Sequence, residues 1–250
     1  MEPYISEYHA SAASQLDGFP HPLTETADSY DGWMTLGKQL SYELRYINAI
    51  EAYTQAIALA PRSLEAHRQR GGKYLATLQT DKAMADFERC LMLGGEESDL
   101  LYRMGLCWYY AGVYGMAIRE FSRCWDVCDD ELGIGAIYWS MIAAWRSGRQ
   151  PSLLKYYHDD MHVGHHTAYA FVVRTALGKI PFDEALWALD SERDNLEFSM
   201  MAYGIAAYCE HIGEKETAEA IYKELLSRDS FWISFGYLAA WNDRKKGRIC

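Results

Sequence analysis

The chain has 250 residues, 50% of them apolar and 24% charged, and only six prolines and nineteen glycines. That composition excludes whole-chain disorder and collagen-like or linker-rich architectures. Thirty-five acidic residues against 24 Lys and Arg leave a net charge of −11, so the chain repels phosphate backbones and no nucleic-acid partner is expected.

The segment 1–18 has neither a basic n-region nor an apolar h-region, so no secretory signal is read there. No run reaches the roughly 18 apolar residues of a membrane span, and no membrane partner is expected. Six cysteines (Cys90, Cys107, Cys124, Cys128, Cys209 and Cys250) form no C-x-x-C pair and no zinc spacing. They read as free thiols in a reducing, cytoplasmic setting. Cys250, as the last residue, does not make a prenylation box. Residues 1–29 read as an N-terminal cap, with a short helix within Glu2–Leu16 and a turn at Gly18-Phe19-Pro20-His21-Pro22.

From residue 30 a period of 34 takes over. Gly37, Gly71 and Gly105 share it, as do Ala49, Ala83 and Ala117, then Tyr53, Phe87 and Phe121, then Ala56, Cys90 and Cys124. Each unit reads as two helices with one apolar stripe apiece. Small residues stand where the helices approach, and aromatic rings fill the space between units. Pro61 closes the second helix of the first unit. Units fall at 30–63, 64–97 and 98–131. The phase then slips by about two residues near Leu132-Gly133-Ile134-Gly135. A degenerate unit can be drawn at 134–167, with Gly148 between its helices, and another at 166–197. The pattern recovers at 199–230 with Ala206, Gly213, Ala218 and Tyr222. A final helix over 231–245 and a basic tail, 246–250, end the chain.

Trp33, Leu36, Gly37, Ala49, Tyr53, Ala56 and Pro61 resemble the signature of the tetratricopeptide repeat (TPR). The resemblance implies an all-α, right-handed α-solenoid of about six helix-turn-helix units plus a C-terminal capping helix. His67 and Leu101 stand where the repeat usually has Trp. The resemblance also implies a non-catalytic protein-interaction module that takes a peptide or helix of an unidentified partner along the first helices of its units. The residues so placed are Lys38, Tyr42, Arg68, Tyr102, Arg103, Tyr109, Tyr110, Tyr138, Trp145, Tyr203 and Tyr237. A groove of Tyr, Trp and Arg has the make-up of an interaction hot spot and gives the nineteen tyrosines a use. Chaperone-binding members hold a C-terminal carboxylate at positions filled here by Met34, Lys38, Gln69, Asp99 and Arg103. Only Arg103 matches, and Asp99 repels a carboxylate, so that activity is not expected.

No G-x-G-x-x-G, phosphate loop or G-x-S-x-G is present, and neither catalysis nor a cofactor is expected. One alternative is metal binding: on a helix His158 and His162 share a face, with His165 or Asp159 to complete a site. The plainer reading of that cluster is a solvated helix end. Another alternative is a peptide or small-ligand sensor on the same solenoid. Such regulators usually carry a DNA-binding domain ahead of their repeats, for which 29 residues are too few. Finally, residues 231–241 are apolar nearly all round, unlike a capping helix, and are expected to pair with a second copy in a homodimer.

Overall fold

The computed structural model describes residues 11–17 and 22–249. The expected turn at Gly18–His21, most of the helix expected within Glu2–Leu16, and Cys250 lie outside the described residues. Among these there are thirteen α-helices and no strand, and consecutive helices pack in pairs. The all-α helix-turn-helix fold is therefore the one the chain adopts. It divides into two compact units, 1–107 and 108–250.

The first unit holds α1 (Ala12–Leu16), α2 (Tyr30–Tyr42), α3 (Tyr46–Leu59), α4 (Leu64–Ala76), α5 (Thr80–Met92) and α6 (Glu97–Ala111) as far as Cys107. The first helix of a pair starts on a side-chain cap: Ser29 Oγ accepts from Gly32 N at 3.2 Å, and Ser63 Oγ from Ala66 N at 3.1 Å. The second helix has none. It follows a turn whose middle residue is left-handed, Leu44 (φ 58°) in one pair and Leu78 (φ 59°) in the next. In both turns the following N–H reaches back one helical turn, Arg45 N to Leu40 O at 2.9 Å and Gln79 N to Tyr74 O at 2.8 Å. This is the closing bond of a Schellman motif. In α1, Ala12 and Leu16 are buried. Its Gln15 Oε1 accepts from Ile47 N at 2.9 Å, satisfying one of the orphan N–H groups of α3.

The repeated small residue has a steric cause. A Cβ on Gly37 would lie 2.5 Å from Tyr53 Cε1, and one on Gly71 would lie 2.8 Å from Phe87 Cε1. Glycine lets the fully buried ring of the second helix lie flat on the backbone of the first. His67, at the usual Trp position, is buried and ties two elements together: its ring nitrogens lie 2.8 Å from Asp86 Oδ1 and 3.3 Å from the Pro61 carbonyl oxygen. Arg70 completes the site, donating to both Asp86 oxygens at 2.8 Å.

The second unit holds the rest of α6 and then α7 (Tyr114–Trp125), α8 (Asp130–Arg146), α9 (Thr167–Ala176), α10 (Phe182–Ser191), α11 (Asn195–Ile212), α12 (Lys215–Ser227) and α13 (Phe235–Lys245). The second helix expected after Gly148 is not there. Between Arg149 and His166 the chain forms only a 3-10 turn, Leu154–Tyr156, and irregular backbone. Pro151 removes an N–H, and the following residues are polar with no sustained 3.6-residue stripe. Leu153 and Met161 still anchor the stretch in the core. With no second helix beside α8, its nearly all-apolar length is covered by α7, α9 and α11.

The terminal helix also departs from expectation. α13 packs on α11 and α12, and its Tyr237, Leu238, Ala239, Ala240 and Trp241 are buried inside the unit. Gly236 permits the contact, since a Cβ there would lie 2.2 Å from Ser199 O. The apolar surface that motivated a homodimer through 231–241 is thus already covered. The basic tail folds back as well: Arg248 donates to Asp243 Oδ1 at 2.9 Å and Tyr114 Oη at 2.7 Å, and Lys246 donates to Tyr110 O.

Two adjacent glycines separate packing from propensity. Gly71→Ala drives a methyl into Phe87 and is expected to cost about 1–3 kcal/mol. A Cβ on Gly72 meets only Arg103 Nη1, at 3.9 Å. Gly72→Ala should therefore stabilise by about 0.5–1 kcal/mol through helix propensity. Urea unfolding followed by circular dichroism compares them, and equal shifts would refute the steric account.

Candidate functional site

The residues expected to line a groove separate into two sets. Tyr109, Tyr110, Tyr138, Tyr203 and Tyr237 are at most 2% exposed, and Tyr102 is buried too. They form the interior and not an open surface. The rings of the second unit gather around the fully buried Trp139: Tyr109 lies 5.0 Å away at 66°, Tyr138 5.2 Å at 83°, and Tyr203 5.8 Å at 34°. Edge-to-face pairing suits the ring quadrupoles. Burial drives the Tyr138 and Tyr203 phenols well above their usual pKa and Tyr237 up to about 12. Their positions follow from α8, α11 and α13 converging in one core, which a groove lined by successive first helices does not anticipate.

The hydroxyls of that core lead into a polar network. Tyr109 and Tyr203 share a 2.6 Å hydrogen bond, and Tyr203 donates to Asp243 Oδ2 at 2.8 Å. The Asp243 side chain is 2% exposed, yet three donors meet it: Tyr203, Arg146 Nη2 at 3.3 Å and Arg248 Nη1 at 2.9 Å. Arg146 also donates to Tyr222 Oη at 2.8 Å and pairs with Glu210 Oε2 at 2.8 Å. Burial pushes the Glu210 carboxyl above the ordinary carboxylate range, against the pull of Arg146. The network opens into a cavity of about 450 Å³ between the C-terminal ends of α8 and α11 and the start of α12. Trp145 and His211 form one wall, stacked at 4.9 Å and 14°. Arg146, Glu210, Lys215 and Arg248 bring charge to it. Of this set, the repeat register places Trp145, Arg146, Glu210 and His211 on first-helix faces. The basic tail and Asp243 gave no repeat signal, because they lie beyond the last recognisable unit.

The other accessible residues of the expected groove are in the first unit. Lys38 and Tyr42 are exposed on α2, Tyr42 at 76%. Arg68 on α4 and Arg103 on α6 fan out from one carboxylate: Asp99 Oδ2 accepts from Arg68 Nη2 at 2.9 Å, and Oδ1 from Arg103 Nε at 2.8 Å. Lys73 lies on α4 with its ammonium 4.5 Å over the Tyr46 ring. Burial, and secondarily the Arg103 charge, push its pKa down to about 8. Gly72 leaves the α4 backbone open beside Arg103.

The histidine cluster is not a helix face. His158, His162 and His165 are exposed on irregular backbone, so the i,i+4 geometry that would join the first two is absent. His162 N donates to Asp130 Oδ2 at 3.2 Å and His165 N to Glu131 Oε1 at 3.3 Å, docking the loop on the start of α8. Among the described residues no His, Cys, Asp and Glu group has metal-site geometry. Cys90, Cys107, Cys124, Cys128 and Cys209 are free thiols. No helix among the described residues is long and apolar enough to cross a membrane.

No protein-family model matches the chain, and no curated protein does. Among solved structures it is similar to the crystal structure of YrrB, described as a TPR protein with an unusual peptide-binding site. The TM-score is 0.44 at 14% identity, over 86% of this chain and 91% of that one.

The network sets its own hierarchy. Asp243→Asn leaves the largely buried Arg146 guanidinium, and the more exposed Arg248, with a weaker acceptor and is expected to cost about 3 kcal/mol. Tyr109→Phe removes one neutral hydrogen bond and should cost about 1 kcal/mol. Urea unfolding measures both, and a smaller loss for Asp243→Asn than for Tyr109→Phe would overturn this ordering.

Proposed function

We propose that the chain is a non-catalytic protein-interaction module that holds an extended segment of a partner protein against the first unit, across the exposed faces of α2, α4 and α6. The observation that carries this reading is the cationic cluster on α4 and α6. Arg68 and Arg103 share the carboxylate of Asp99, with Glu65 and Glu96 also acting on Arg68, and Lys73 on α4 is held down in pKa by burial and by the Arg103 charge. Arg68 and Arg103 both pair with Asp99 and offset its charge, and a segment carrying carboxylates makes charge-assisted hydrogen bonds to their remaining N–H groups. Gly72 gives such a segment close approach to the α4 backbone, and the exposed Tyr42 ring offers apolar contact beside it.

The helix-pair framework supports the reading physically. The guanidinium groups are oriented by a shared acceptor on a packed helix, so little side-chain entropy remains to be lost on binding. Binding to this surface is electrostatic and rim-like, so it should weaken as salt screens it.

The test is a random peptide-display library panned against the wild type and against Arg68→Ala/Arg103→Ala. Peptides rich in Asp or Glu should enrich on the wild type alone. Their addition should raise the Lys73 pKa from about 8 toward its ordinary value, read by NMR of isotope-labelled, dimethylated lysine. No enrichment, or equal enrichment on both proteins, would sink the proposal.

A further inference from the structure

The cavity of the second unit has its own chemistry. Its lining carries three cations, Arg146, Lys215 and Arg248, and two carboxylates, Glu210 and Glu219. Arg146 spends Nη1 on Glu210 and Nη2 on Tyr222 and Asp243, while its buried Nε has no partner among the described residues. A buried guanidinium N–H without an acceptor is a standing cost. Arg248 spends Nη1 on Tyr114 and Asp243, and its Nη2 packs beside Gly112. Lys215, the first residue of α12, brings an exposed ammonium to the rim.

The wall opposite is flat and apolar. The half-exposed Trp145 ring, stacked with His211, has Tyr208 tilted against it at 5.7 Å. A volume of about 450 Å³ lies in the range of small-molecule pockets and exceeds what a few water molecules need. The charge balance restricts the ligand further. Glu210 and Glu219 line the same cavity as the three cations, and Asp243 lies behind Arg146. A dianionic phosphate would meet these carboxylates, whereas a single carboxylate brings the lowest charge to the Lys215 ammonium.

We propose that this cavity binds an aromatic carboxylate, its ring on the Trp145–His211 wall and its carboxylate held by Lys215 beside the Arg248 guanidinium. The same chemistry is carried by a free aromatic acid and by a peptide ending in a free aromatic residue.

The test uses the full chain and the probes 3-phenylpropanoate and 2-naphthoate, with acetyl-Gly-Phe for the peptide source. Each is paired with its carboxamide, and binding is read by isothermal titration and ligand-observed NMR. Lys215→Met and Trp145→Leu change accessible residues outside the buried network, and their folding is checked by thermal unfolding. The acids should bind at micromolar to millimolar levels, as about a dozen heavy atoms permit. The amides should bind about tenfold more weakly, as should the acids to Lys215→Met, because each change removes one charge-assisted contact. Trp145→Leu should weaken 2-naphthoate most. Binding of the free acids alone assigns the site to a small molecule, and binding of acetyl-Gly-Phe assigns it to a chain end. Equal binding of acids and amides, indifference to both substitutions, or no binding by any acid would overturn the proposal. These variants leave Arg68 and Arg103 intact, so failure here is distinguishable from failure of the peptide surface.

Discussion

The left-handed turn that closes the first helix of each pair is the constraint on which the rest depends. It recurs at Leu44, Leu78, Gly112, Gly148, Gly178 and Gly213. Each time the residue after it donates back to the carbonyl five positions earlier, at 2.8–2.9 Å. The turn caps the outgoing helix and aims the incoming one, which is why the second helices start without side-chain caps. Leucine in this conformation costs about 1–2 kcal/mol relative to glycine. Leu44 and Leu78 are half-buried, so contacts in the turn offset part of that cost.

The same turn explains how a 34-residue period survives changes in the residues that mark it. The small residue on the first helix and the ring on the second must face each other, and a fixed turn geometry fixes their register. Tyr53 and Phe87 meet Gly37 and Gly71 in the same way although the ring changes. His67 replaces an indole with a polar ring, and Asp86 and Arg70 appear alongside to satisfy it. One period further on, Glu120 occupies the place of Asp86. It is again buried and again held by arginines, Arg119 and Arg123. A buried acid in the second helix is therefore a device of the repeat here, visible only when its partners are seen.

These features mark what the sequence discloses. Position in a repeat reports helix pairing well, because pairing is local and set by one turn and one small-to-large contact. The phase slip of two residues after 131 was legible and has a structural counterpart in the left-handed Gly148, which follows Gly112 by 36 positions. Position reports exposure poorly wherever the neighbour is irregular. Tyr138 and Tyr203 sit on the expected faces of α8 and α11, yet the missing helix after Gly148 lets α9 and α11 close over α8. Faces that a regular array leaves open become core. In the first unit, where the array is regular, Lys38, Tyr42, Arg68 and Arg103 are accessible while Tyr102 is buried.

The buried ionic network follows from the same irregularity. An interior built from three converging long helices contains many phenols, whose hydroxyls must be hydrogen-bonded once removed from water. Asp243 and Arg146 supply an acceptor and a donor at the centre, and Glu210 and Arg248 extend the chain of partners outward. Charges of both signs alternate along it, so no charge is buried unpaired. The network has to end at solvent, since each added partner brings donors of its own. It ends at a cavity where the charged side chains of Arg146, Glu210, Lys215 and Arg248 meet a flat aromatic wall.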